Sequence, residues 1–130
     1  MDKTVRSEEE NRLMVALNQA SIYHWLQRED CNDQRLSVGY WQASRIQSLL
    51  GNAAEAIRLG NICLAHSTPL DPFYLGYAHE ALARAHGLAR DSAPAKQHLA
   101  TAMELAARVS GEDERELLQS DLRQLAQAQG

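Results

Sequence analysis

The chain is poor in the residues that build sheets. Among its 130 residues there are one Phe, three Pro, and only eight Val and Ile together. Sheets draw on β-branched and aromatic side chains, so a β architecture is excluded. Lysine is almost missing, with 2 Lys beside 11 Arg, and the 13 basic residues face 17 acidic ones for a net charge of -4. The arginines are scattered and form no basic stripe, which removes nucleic acid as a default partner. No apolar run approaches the ~20 residues of a membrane span. The segment Met1 to Glu10 is polar and acidic, unlike a secretory leader. The two cysteines, Cys31 and Cys63, lack metal-ligand spacing such as C-x2-C. Free thiols in a reducing cytoplasm are the simplest reading.

What remains is helix-forming. The chain holds 20 Ala and 18 Leu, the two residues at the head of the helix-propensity scale. The length suits one domain. Residues 1–7 read as a loose tail, and residues 8–128 as a single all-α domain of about six helices. The first is expected at about 8–28. Ser7 and Glu10 form a capping box, and Glu8, Glu9 and Glu10 face the positive end of the helix dipole. Leu13, Leu17, Ala20 and His24 make one stripe, widened by Met14, Ser21 and Trp25. Val15, Ile22 and Leu26 lie on another side. Apolar residues on two sides predict a helix sandwiched between neighbours or against a second chain.

The polar stretch Glu29 to Gln34 is expected to be a connector. Helices then follow at about 36–50, 53–66, 73–89, 93–109 and 112–128. They are separated by Gly51-Asn52, by Ser67 to Pro72, by Arg90-Asp91-Ser92 and by Ser110-Gly111. Glycine and proline punctuate these turns, and Pro94 sits where a first-turn proline is tolerated. The acids Glu112, Asp113, Glu114 and Glu116 complement the dipole of the last helix. Connections this short predict antiparallel hairpins.

Two segments align with each other. Tyr40-x2-Ala43-Ser44-x2-Gln47 precedes Ala56-x3-Gly60-x2-Cys63. His79-x2-Leu82-Ala83-x2-His86 precedes Ala95-x3-Leu99-x2-Ala102, at an offset of 39 residues. Ala43, Ala56, Ala83, Ala95 and Ala102 read as spacers that let helices approach. Leu82, Leu99, Leu118, Leu122 and Leu125 read as fillers. The pattern, covering about Ser37 to Arg108, resembles the tetratricopeptide repeat (TPR), a helix-turn-helix unit of about 34 residues. Gly51 to Ile57 is its most TPR-like piece, and the extra residues fit the Pro69 to Pro72 loop. Gln47, Gly60, His86 and Leu99 replace the pattern's later aromatics, so the pair is degenerate. Strings such as Tyr23-His24-Trp25, Gly39 to Arg45 and Tyr77 to Ala85 are similar to small bacterial TPR-like proteins, a likeness that carries a fold and no activity. The resemblance implies a right-handed stack of hairpins, with the outer helices completing it because repeats bury their core by stacking.

The resemblance also implies that the first helix of each hairpin lines a concave groove. Trp41 and Arg45 would face it from helix 2, and Tyr77, Glu80 and Arg84 from helix 4. Each set shares one helix face by spacing. Arginines beside aromatics suit a carboxylate, a peptide C-terminus or a phosphate, and an arginine-flanked Trp is a common interface anchor. His24, projecting from helix 1, joins this candidate set. Against it stands a solvated face with an internal Glu80–Arg84 pair, or a groove filled by helix 1. A metal site of His24, His79 and Glu80 is conceivable, but His79 and His86 fall at packing positions. Ser37, Ser44 and Ser48 carry no nucleophile elbow, and Gly39, Gly51 and Gly60 form no phosphate loop. No catalytic residue, metal ligand or cofactor is assigned. The leading expectation is a non-enzymatic adaptor holding a protein or peptide partner, or dimerising through helix 1 or helix 6. A small-molecule or metal-binding protein (a cryptic enzyme) and a structural subunit of an oligomer are the alternatives.

Overall fold

The computed structural model describes residues 7–26 and 32–129. Within them the chain is helical throughout, in six helices: α1 (Glu8–Leu26), α2 (Asp33–Leu49), α3 (Ala53–Ser67), α4 (Pro72–Leu88), α5 (Ser92–Ala107) and α6 (Glu112–Gln129). No strand occurs among the described residues. Most of the expected tail, the last residues of the expected first helix and Cys31 lie outside the described residues.

The local signals that start and stop the helices are physical. The capping box forms at α1: Ser7 Oγ accepts from the Glu10 amide at 3.0 Å, and Glu10 Oε1 accepts from the Ser7 amide at 3.1 Å. Helix α2 begins three residues before the expected 36. Asn32, read as connector, is its N-cap, with Oδ1 accepting from the Arg35 amide at 3.0 Å. Helices α2 and α4 end alike. The Gly51 amide bonds Ser48 O and the Asn52 amide bonds Gln47 O; 39 residues on, Arg90 bonds Gly87 O and Asp91 bonds His86 O. Both are Schellman turns, which need a left-handed residue just past the helix. Gly51 takes φ +83° at no steric cost, whereas Arg90 takes φ 65° as a non-glycine. The same turn recurs at the offset on which the two segments align.

Helix α4 is the centre. It packs against α2, α3, α5 and α6, while α2 pairs with α3 and α5 touches α6. Ala56, Ala78, Ala83, Ala85 and Ala102 are fully buried, as are Leu82 and Leu118. The small residues allow real proximity: a Cβ on Gly60 would meet Leu82 Cδ2 at 2.8 Å, and one on Gly76 would meet Leu118 Cδ2 at 2.6 Å. Ser44, also fully buried, donates to Ala56 O at 2.8 Å and ties α2 to α3. The buried polar residues between α2 and α3 are paired, as burial demands. Ser37 and Ser67 share a bond of 2.6 Å, and Cys63 Sγ donates to Ser37 O. Burial pushes the Cys63 thiol up, against the pull of Ser67 and Ser37.

Helix α1 departs from expectation. It is not sandwiched between neighbours, because among the described residues it packs against α2 alone. The face turned inward carries Asn18, whose Nδ2 donates to Gly39 O at 3.3 Å, and Ile22, packed with Ala43 and Leu59. The expected stripe faces outward instead: Leu13 is 58% and Leu17 62% exposed, and Ala20 and His24 are exposed with them. One polar residue with a long-range backbone bond and one β-branched residue decide which side is inside. Helix α1 therefore does not cover α4.

Candidate functional site

Helices α2 and α6 stand on either side of α4 without packing on each other. A cleft of about 280 Å³ opens between them. Its walls carry Val38 and Trp41 from α2 and Leu117 from α6; Phe73, Tyr74 and Tyr77 of α4 form the floor. Leu117 is 54% and Val38 42% exposed. The rings are arranged edge to face: Phe73 with Tyr74, Phe73 with Tyr77, and Tyr77 with Trp41 at 5.4 Å between centroids. This is the favoured geometry of aromatic pairs.

The polar handles of Trp41 and Tyr77 are occupied internally. Trp41 Nε1 donates to Glu80 Oε1 at 2.9 Å, and the Tyr77 hydroxyl donates to Asp121 Oδ2 at 2.6 Å. Burial foremost, with the Asp121 hydrogen bond and charge behind it, pushes the Tyr77 hydroxyl far above its ordinary range. Tyr77 therefore stays a proton donor. What the cleft offers a ligand is ring face and apolar edge.

Beneath Trp41 lies the charge that organises α2 against α4. Glu80 is wholly buried. Its Oε2 accepts from Arg84 Nη2 at 2.5 Å, one turn along α4, and lies 4.0 Å from Arg45 Nη1. Arg45 in turn stands over the Trp41 ring, 5.6 Å from its centroid. A carboxylate this deep requires paired charge and hydrogen bonds, and Trp41, Arg84 and Arg45 supply them. Trp41 and Glu80 are separated by 39 residues, as are Arg45 and Arg84.

Five of the six sequence-predicted site residues thus come together, in different capacities. Trp41 and Tyr77 line the cleft. Arg45 lies outside the cleft lining, one turn along α2 from Trp41 and over its ring. Glu80 and Arg84 form the internal pair weighed in the sequence, so Glu80 faces the interior and presents no free carboxylate. His24 is exposed near the end of α1 and lines no part of the cleft. Sequence reasoning missed Val38, Phe73, Tyr74 and Leu117. The i,i+4 spacing of Phe73 with Tyr77 was the available signal for the floor.

Three of the five histidines cluster elsewhere, between α4 and α5. His79 Nδ1 lies 2.9 Å from His98 Nδ1, His86 stacks on His98 with centroids 5.6 Å apart, and His86 Nδ1 reaches Asp91 Oδ2 at 3.2 Å. The conceivable set of His24, His79 and Glu80 is not assembled, since Glu80 is held by Trp41 and Arg84. No group of three or more metal-ligating side chains with suitable placement occurs among the described residues. No described helix is long and apolar enough to cross a membrane. No family model matches the chain, and no curated protein or solved structure matches it.

Proposed function

We propose that the chain is a non-enzymatic, cytoplasmic binding module that holds a segment of a partner protein in the cleft between α2, α4 and α6. The observation that carries this reading is the cleft itself: an aromatic floor of edge-to-face rings, exposed Val38 and Leu117 as rims, and the polar groups of Trp41 and Tyr77 already satisfied from within. Interfaces favour large amphipathic rings with apolar neighbours. The segment would insert a bulky apolar side chain over Trp41 and Tyr77 and place an acidic residue beside Arg45, whose guanidinium is part exposed. The helix pairings α2–α3 and α4–α5, the alignment of α2, α4 and α6 along one side, and the Schellman turns 39 residues apart all support a TPR-like stack as its frame.

The test is selection of random peptides displayed on phage against the purified chain. Enrichment of peptides carrying a bulky apolar residue near an acidic one is the expected result. Their binding should drop about tenfold or more, on the order of 1.4 kcal/mol, in Leu117→Lys, a surface change remote from the core. Selected peptides that bind Leu117→Lys as well as the wild type would remove the cleft as the docking surface.

A further inference from the structure

A second cavity, of about 460 Å³, lies on another side of α4, against the C-terminal turns of α2 and α6 and the start of α5. Its polar lining is Arg84, Arg90, Lys96, Ser48, Ser92 and Gln129, three of them cationic. Two of these residues hold the buried side-chain atoms that lack a hydrogen-bond partner among the described residues, Ser48 Oγ and Arg84 Nε. Orphaned buried donors are rare and costly, on the order of 1–3 kcal/mol each. Both residues line this cavity, with the two atoms themselves shielded inside its wall.

The charge balance states what occupant. Arg84 is offset by Glu80, but Arg90 and Lys96 make no ion pair among the described residues. Asp91, the N-cap of α5, makes no side-chain cap bond, because it turns to His86 instead. The first amides of α5 therefore remain uncapped beside the cavity, and a helix start favours negative charge. Arg90 adds a further sign. It occupies the left-handed turn position that Gly51 fills 39 residues earlier, and a side chain there carries backbone strain of about 1–2 kcal/mol. That strain places a guanidinium at the cavity edge. The remaining wall is apolar, with Leu88 and Leu125 among it.

We infer that this cavity binds a phosphate monoester of a small organic molecule. The phosphate carries about -1.5 to -2 charge near neutral pH, matching the exposed Arg90 and Lys96 of the lining. The volume lies within the range of small-molecule sites and leaves room for an apolar moiety against Leu88 and Leu125. This site is separate from the α2/α4/α6 cleft and stands whether or not that cleft binds peptides.

Calorimetric titration of the whole chain at fixed ionic strength tests it, with phenyl phosphate, inorganic phosphate and benzoate as probes. Phenyl phosphate is expected to bind one per chain, about tenfold tighter than either other probe. The double variant Arg90→Gly/Lys96→Gln should lose about tenfold or more of that affinity. Both positions are exposed and glycine suits the turn, so the variant keeps its fold, which its circular dichroism verifies. Leu117→Lys, at the other cleft, should bind phenyl phosphate as the wild type does. The absence of saturable binding, equal affinity for benzoate, or full affinity in the double variant would each overturn the inference.

Discussion

Glu80 is the residue on which the two halves of the helical array depend. It anchors Trp41 of α2 and Arg84 of its own helix from a wholly buried position. Glu80→Gln keeps the volume and removes the charge, leaving Arg84 without its counterion. Breaking a buried pair costs several kcal/mol; with Arg84 part exposed, a loss of about 2 kcal/mol is expected, read as a lowered urea midpoint. An unchanged midpoint would mean that hydration of the part-exposed Arg84 replaces the pair without loss. Gly60 tests the close approach of α3 and α4. Alanine raises helix propensity by about 1 kcal/mol, but its Cβ would meet Leu82 Cδ2 at 2.8 Å and Cγ at 3.2 Å. Leu82 is fully buried and has nowhere to retreat, so overpacking wins and Gly60→Ala is expected to destabilise by about 1–2 kcal/mol, measured by thermal unfolding.

At the scale of elements, the α4–α5 contact carries a pH dependence. Burial first, and the charge of His98 second, hold the His79 imidazole below its ordinary range; burial and then His86 act likewise on His98. The unfolded chain takes these protons more readily than the fold does. The stability the neutral rings contribute is therefore complete above about pH 6.5 and is lost as pH falls through their lowered values. Urea midpoints at about pH 7 and about pH 5 should diverge for the wild type, and diverge less for His98→Gln. An equal drop in both proteins would place the acid sensitivity in other groups. The element boundaries were largely legible in the sequence, because caps and turns are local chemistry: Ser7 with Glu10, Gly51-Asn52 and Pro72 all act where they stand. Asn32 escaped notice because its charged surroundings resemble a connector. The inward side of α1 escaped for another reason. Leucines at 13 and 17 outnumber Asn18 and Ile22, and only the tertiary bond from Asn18 to Gly39 decides the side.

For the whole molecule, the repeat register brought Trp41, Arg45, Tyr77, Glu80 and Arg84 to one region, but it could not assign them to surface or interior. An i,i+4 Glu–Arg pair looks the same in sequence when solvated and when buried. The decisive fact, Trp41 Nε1 on Glu80, joins residues 39 apart and exists only once α2 lies on α4. The cleft rim from α6 was likewise invisible, since Leu117 reads as the edge of an ordinary stripe. Two apolar surfaces now compete for a partner: the α2/α4/α6 cleft and the outward side of α1, where Leu13 and Leu17 are exposed. An amide and methyl NMR titration of the isotope-labelled chain with a phage-selected peptide separates them directly. Shifts centred on Val38, Tyr74, Tyr77 and Leu117, with Leu13 and Leu17 unmoved, are the expected result. Shifts confined to Leu13, Leu17 and their neighbours on α1 would contradict the account.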